Sequence, residues 1–196
     1  MIQVIENYIA TKKLDLNLYD IRQSCQTMQH IISTNFTSDV KGMDPSYKDL
    51  VTTSLYTSYN ILLYPLTGFW ELYHEIKTMF NEAVNPLEPH FIQCWLNVYN
   101  KGDYIDWHDH YTPEYNAYHG FFCVDTEPSK TTYRIPGIDT DIDVISEDNL
   151  LVMSKSDNDL HRTWPWDQDR QRITIAFDIV PLRTMNTNLL NHWIPI

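Results

Sequence analysis

Two histidines separated by a single residue, His108 and His110, are the first residues of this sequence that could do chemistry. On an extended strand, residues i and i+2 point to the same side, so both imidazoles could contact one metal ion. Imidazole is a ligand for iron, zinc, copper and nickel. A pair of histidines needs a third ligand before it makes a strong metal site, and His161 is the candidate for that ligand.

The strands that must position these histidines are predicted from the alternation of apolar and polar residues. Residues 91–99 and 172–180 each place aliphatic side chains on one face of a strand. Two strands of this kind indicate a barrel with a polar interior, which is where ligands bind. The interior faces would carry Trp95, Asn97 and Tyr99 from the first strand, and Arg172, Thr174, Ala176 and Asp178 from the second.

The rest of the chain divides into a helical first half and a strand-rich second half. Apolar spacing predicts a helix that begins near Asn17 and another over residues 66–83, while residues 55–63 are compatible with a strand. Further short strands are predicted at 117–125, 131–135, 142–145 and 150–154. We therefore expect a single α+β domain, with residues 1–90 as a largely helical support layer, 91–181 as the β-barrel core and 182–196 as a C-terminal tail.

Composition narrows the function classes. The chain has 196 residues with 13% aromatics, which excludes a disordered chain, and its net charge of −12 argues against nucleic-acid binding. An odd number of cysteines (three), none in CxxC spacing, indicates free thiols in a reducing compartment. No signal peptide or membrane span is recognisable, so we expect a cytoplasmic protein with no membrane partner.

Short motifs follow one another in a fixed order through the second half of the chain. In chain order they are Tyr99-x-x-Gly102, Trp107-His108-x-His110, Thr131-Thr-Tyr-Arg-Ile-Pro, Asn149-Leu-Leu-Val-Met-Ser, His161 and Arg172-Ile-Thr174. Over residues 91–181 this order resembles the Fe(II)- and 2-oxoglutarate-dependent oxygenases, most nearly their prolyl-4-hydroxylase-like branch and related oxygenases of bacteria and phages. The resemblance implies a double-stranded β-helix, which is a jelly-roll barrel of the cupin-like kind.

The resemblance also implies a reaction and a set of roles. His108 and His161 would bind Fe(II), and Arg172 would bind the far carboxylate of 2-oxoglutarate with help from Thr174; a guanidinium matches a carboxylate bidentately. Tyr99, Asn97 and Tyr133 would be further contacts of this cosubstrate. Oxygen would be the second cosubstrate, with succinate and CO2 released as a protein or peptide side chain, or a small molecule, is hydroxylated.

One position departs from the family pattern. The family has His-x-Asp or His-x-Glu at its first iron motif, whereas the third position here is His110, with Asp109 between the two histidines. Three arrangements stay open: a site of His108, His110 and His161, a bulge that turns Asp109 inward, or a site with two histidines only. His119 is either a fourth ligand or a hydrogen-bonded core histidine. The competing functions are a cupin-like three-histidine dioxygenase that does not use 2-oxoglutarate, and a non-catalytic barrel with a degraded site.

Overall fold

An antiparallel sheet of seven strands forms the larger half of the computed structural model, which describes residues 1–36, 50–185 and 192–196. Its strands, in chain order, are β1 (Gln3–Ile5), β2 (Ile9–Lys13), β3 (His90–Tyr99), β4 (Tyr118–Asp125), β7 (Leu150–Lys155), β9 (Arg172–Pro181) and β10 (Ile194–Pro195). They lie side by side in the order β1-β2-β7-β4-β9-β3-β10.

A second antiparallel sheet consists of the strands β5 (Ser129–Arg134), β6 (Ile142–Ser146) and β8 (Leu160–Thr163). They lie side by side in the order β6-β5-β8. Side chains from both sheets line one cavity, which lies between the two sheets. The fold is α+β with a double-stranded β-helix, as the sequence predicted.

Among the described residues, three α-helices accompany the sheets: α1 (Leu18–Asn35), α2 (Val51–Ser54) and α3 (Phe69–Val84). The Asn17 side chain caps α1 by accepting a hydrogen bond from the Asp20 amide, which satisfies a donor that the first helical turn leaves free. Apolar residues of α1 and α3 form one core cluster with the aliphatic faces of β3 and β9. Within the described ranges, the helices lack the length and apolar character needed to cross a bilayer.

The structure corrects one prediction about secondary structure. Residues 55–63 form two short 3₁₀ helices, Tyr56–Ser58 and Ile61–Leu63, and no strand. The Asn60 side chain favours the second turn, since it accepts a hydrogen bond from the Leu62 amide. Beside its helices, the N-terminal layer contributes β1 and β2 to the seven-stranded sheet. The C-terminal segment contributes β10, which pairs with β3.

Candidate metal centre

Three histidine rings, those of His108, His110 and His161, converge at one end of the cavity and are called the histidine cluster below. Each offers a ring nitrogen, and these three atoms lie within 4.8 Å of one another. The ring centroids are 4.2 Å apart for His108 and His161, 5.5 Å for His108 and His110, and 5.1 Å for His110 and His161. This spacing places three imidazole donors around one small volume.

Backbone pairing explains why the cluster forms. Residues 108–110 do not form a regular strand: His108 makes an isolated bridge, in which its N–H and C=O pair with those of His161 at 3.1 and 3.0 Å. Upstream, Ile105 accepts from the Thr163 amide, and Gly102 donates to the Trp166 carbonyl. Gly102 has a φ of 94°, a conformation that favours glycine. The segment before His108 therefore runs antiparallel to β8 and the residues after it.

Hydrogen bonds fix the nitrogen that two of the histidines present. Nδ1 of His108 lies 2.8 Å from the Asp106 carbonyl oxygen, and a carbonyl only accepts, so Nδ1 carries the proton. Nδ1 of His110 lies 2.6 Å from Oδ1 of Asp178. In both rings Nε2 is left with the lone pair that a metal needs.

One ring nitrogen of His161 lacks a hydrogen-bond partner among the described residues. Its side chain is buried, and its Nδ1 has no hydrogen-bond partner in the part of the chain that the structure describes. Leaving a buried polar atom unpaired is costly, and a metal ion would satisfy it. Three imidazoles with such an unsatisfied nitrogen are a donor set that fits a divalent transition metal.

The protonation states of the cluster also suit a metal. Burial, reinforced by the neighbouring His110, lowers the pKa of His108 to about 4. Burial likewise holds the pKa of His161 well below the usual range. Burial opposes a charge on His110 too, but the Asp178 carboxylate outweighs it and raises the pKa of that ring. Two of the three candidate ligands are therefore neutral at physiological pH, which is the form that binds metal.

A second donor group shares His161 and lies deeper in the fold. His119, Asp159 and His161 are all buried, and their donor atoms also lie within 4.8 Å of one another. Nε2 of His119 is 2.8 Å from Oδ2 of Asp159 and 2.8 Å from Oγ of Ser154. His119 thus has the hydrogen bonds of a core histidine. Asp109, the predicted alternative to His110, is exposed and belongs to neither group.

Arg172 projects into the same cavity from β9. It is only 2% exposed, its Nε donates to Oγ of Ser129 at 3.1 Å, and its guanidinium lies 5.1 Å from the centre of the Tyr99 ring. Among the described residues no carboxylate forms an ion pair with it. A buried cation without a counter-ion is costly, so this cavity offers a site for an anion.

The cavity has a volume of about 420 Å³ and both sheets line it. The register of β3 against β9 brings four interior residues together in pairs: Asn97 lies opposite Thr174, and Tyr99 lies opposite Arg172. All four residues line the cavity, as alternation predicted. Tyr133 does not line it; its ring is fully buried and packs 5.4 Å from that of His161, because β5 pairs with β8 at this point.

Sequence reasoning missed several residues of the site. Alternation places Asp178 on the interior face of its strand but does not indicate a role for it. A carboxylate in an otherwise apolar strand, two alternations after Thr174, is the feature that points to this residue. Thr53 donates to Oδ1 of Asn97 at 2.7 Å from a segment that alternation did not resolve. Asp159 and Tyr111 also reach the site, and only tertiary contacts reveal them.

Beside the cluster, two indole rings alternate with three cations that come from β5 and β8 of the three-stranded sheet. In order, Arg134 lies 4.3 Å from the Trp107 ring, Arg162 lies 4.6 Å from Trp107 and 4.2 Å from Trp164, and Lys130 lies 4.8 Å from Trp164. We call these five residues the cation–indole stack. Trp107 directly precedes His108, and Arg162 directly follows His161, so the stack braces both partners of the isolated bridge.

Comparison with known proteins gives a consistent picture of the fold. No family model and no curated protein matches the sequence. Solved structures do match. A prolyl-4-hydroxylase from Pseudomonas putida has a TM-score of 0.57 at 11% identity, with 88% of this chain and 92% of that chain covered. AviO1 from Streptomyces viridochromogenes has a TM-score of 0.61 at 12% identity, covering 91% and 92%.

A third match is a prolyl hydroxylase from Trichoplax adhaerens, solved in complex with a hypoxia inducible factor peptide fragment. Its TM-score is 0.59 at 8% identity, with 91% of this chain and 86% of that chain covered. At such low identities the matches establish the fold and leave the chemistry to the site. The chain therefore has the double-stranded β-helix of the 2-oxoglutarate/Fe(II) oxygenases, and the resemblance read from its motifs is confirmed at that level.

Proposed function

We propose that this protein is an Fe(II)- and 2-oxoglutarate-dependent oxygenase. The observation that carries the proposal is the buried Arg172 guanidinium, which has no carboxylate partner among the described residues and shares one cavity with the histidine cluster. A cationic fork and a group of metal donors facing the same space suit a ligand that is a dicarboxylate and a chelator at once. 2-Oxoglutarate has this chemistry.

Each residue of the site then has a defined task. The histidine cluster holds iron, Arg172 binds the distal carboxylate, and the Thr174 hydroxyl beside it supplies a further hydrogen bond. Iron with 2-oxoglutarate and O2 supplies the oxidising power for hydroxylation, with succinate and CO2 as co-products. His161 is buried, whereas His108 and His110 are half-buried and can be reached by ligands from the cavity.

The substrate would be a protein or peptide side chain or a small molecule. The cavity wall beyond the histidine cluster is aromatic, since Tyr56, Trp95 and Phe121 all line it. Aromatic walls with a few polar groups are typical of pockets that hold an apolar moiety and orient it. These walls suit the apolar part of either substrate class.

One observation favours a second candidate. The histidine cluster contains no carboxylate, so the site also suits a three-histidine dioxygenase of the cupin-like kind that has no need of 2-oxoglutarate. Such an enzyme gives Arg172 and Thr174 no task. A non-catalytic barrel, in which the site binds no metal, is the remaining alternative.

Anaerobic titration of the protein with Fe(II) and 2-oxoglutarate tests these alternatives. The proposal predicts a visible charge-transfer band of the iron–2-oxoglutarate chelate. We expect Arg172→Ala to raise the 2-oxoglutarate concentration at half-saturation by about 10- to 100-fold, since charge-assisted hydrogen bonds contribute about 1.5–3 kcal/mol. Arg183→Ala, which changes an exposed arginine outside the cavity, is the matched control.

The outcomes separate the three functions. Iron binding without the band would favour the three-histidine dioxygenase. No iron binding at all would favour the non-catalytic barrel. An Arg172→Ala protein that saturates at the wild-type 2-oxoglutarate concentration would remove the observation on which the proposal depends.

A further inference from the structure

A carboxylate stands directly behind the histidine cluster. Asp178 lies on β9, is only 4% exposed, and its Oδ1 is 2.6 Å from Nδ1 of His110. That is a short, charge-assisted hydrogen bond. It joins two residues far apart in the sequence, from the segment before β4 and from the penultimate strand, so only the tertiary fold brings them together.

Asp178 has few other partners. No lysine or arginine of the described chain forms an ion pair with it, and its ionic partner is His110. Its charge, together with burial, also raises the pKa of Tyr111. A buried carboxylate is expensive unless it is paired and hydrogen-bonded. The fold therefore keeps a costly charge at a position where its main interaction is with one candidate ligand.

We propose that Asp178 is a positioning residue of the metal site and acts through His110. Its Oδ1 accepts a hydrogen bond from Nδ1–H, so it fixes the tautomer and the ring orientation and leaves Nε2 for the metal. It also gives the site the negative charge that three neutral histidines lack. The carboxylate absent from the first iron motif is thereby replaced by one that stands behind a ligand. The inference rests on the metal site of the proposed function.

The neighbouring pair, His119 and Asp159, provides a matched comparison. It is also a buried histidine with a carboxylate 2.8 Å away, but the carboxylate holds Nε2 of His119. The same change, Asp to Asn, can therefore be made behind two adjacent rings. One ring belongs to the histidine cluster, and the other belongs to the deeper donor group.

The test is a Co(II) titration in the absence of 2-oxoglutarate, followed by the visible absorption of bound Co(II) and by competition with a chelator. We expect Asp178→Asn to weaken Co(II) binding by about 10- to 100-fold, the usual effect of losing a carboxylate behind a ligating histidine. Asp159→Asn should lose much less. Far-UV circular dichroism and thermal unfolding establish that each variant is folded.

A double mutant separates positioning from a general structural role. If Asp178 acts through His110, Asp178→Asn should have little further effect on Co(II) affinity in a His110→Ala background. A merely structural carboxylate would weaken binding equally in both backgrounds. Asp178→Glu, which retains the charge, should recover part of the affinity.

Four results would overturn the inference: wild-type protein that binds no Co(II), wild-type affinity in Asp178→Asn, an equal or larger loss in Asp159→Asn, or an undiminished effect in the His110→Ala background. The third would assign the metal to the deeper group of His119, Asp159 and His161. The Co(II) titration contains no 2-oxoglutarate, so it tests the metal site independently of the cosubstrate. If Co(II) binds as expected but the Fe(II) titration with 2-oxoglutarate gives no charge-transfer band, only the proposed function is contradicted.

Discussion

The backbones of His108 and His161 hydrogen-bond to each other in both directions, at 3.1 and 3.0 Å. Neither bond involves a side chain, so the pairing does not depend on the imidazole rings and is open to any residue that has a backbone N–H. The convergence of the candidate ligands is thus a property of the fold, while metal binding is a property of the rings. Substitution can separate the two.

Replacement of His161 by alanine should abolish metal binding in a protein that remains folded. His161 belongs to both donor groups, so its loss removes a ligand from either one. Metal content after reconstitution and a thermal unfolding curve measure the two effects. His30→Ala, an exposed change on α1, is the control. Iron binding and turnover that survive in His161→Ala would show that the metal lies elsewhere.

Metal affinity should fall as the pH is lowered through the pKa of His110. Asp178 raises that pKa above its usual value of 6.5, and the metal must displace the proton from Nε2. Below the raised pKa, affinity should drop about tenfold per pH unit for the one proton displaced, and above it affinity should level off. His108 adds its own proton only near pH 4.

Co(II) titrations from about pH 5 to about pH 9 cover this transition. In Asp178→Asn the transition should move to lower pH, because the charge that stabilises the imidazolium is gone. A wild-type affinity that is constant over this range would contradict the prediction.

The three cysteine thiols should be unreactive in the folded protein. Cys25, Cys94 and Cys123 are free and buried, and burial raises the pKa of each thiol, that of Cys123 to about 11. Only the thiolate attacks a thiol reagent, so at about pH 8 we expect no reaction until denaturant is added, followed by three equivalents. Rapid labelling of the native protein would show that one of the thiols is accessible.

Trp107→Leu should reduce both stability and metal affinity. Two arginines lie over this ring, and each cation–π contact contributes about 0.5–1 kcal/mol, so we expect a loss of about 1–2 kcal/mol in the free energy of unfolding. The adjacent His108 should then bind metal less tightly. Trp70→Leu on the exposed surface of α3 is the comparison, and equal effects of the two changes would contradict a bracing role.

Alternation carried most of what the sequence could predict about this site. It assigned Asn97, Tyr99, Arg172 and Thr174 to one interior face, since side chains in a strand alternate strictly between its two sides. Alternation did not predict β8, which has four residues and no clear pattern of apolar and polar side chains. It also did not predict the short strands β1 and β2. A strand of so few residues is determined by its partner more than by its own sequence.

The pairing of His110 with Asp178 could not be predicted for a different reason. It depends on where the segment after His108 lies relative to β9, which is set by tertiary packing. The sequence therefore showed that a carboxylate was missing from the first iron motif. It could not show that another carboxylate lies 2.6 Å behind the residue that replaced it.

The cation–indole stack gives the protein a spectroscopic use beyond its mechanical one. Trp107 and Trp164 are wedged between cations beside the bridge that carries two candidate ligands. A metal ion with a partly filled d shell quenches nearby indole emission. Occupancy of the centre should therefore lower the intrinsic fluorescence of the unlabelled protein. Trp95 also lies near the centre, with its ring 6.0 Å from that of His110. Phe substitutions at Trp95, Trp107 and Trp164 would show which indole is quenched.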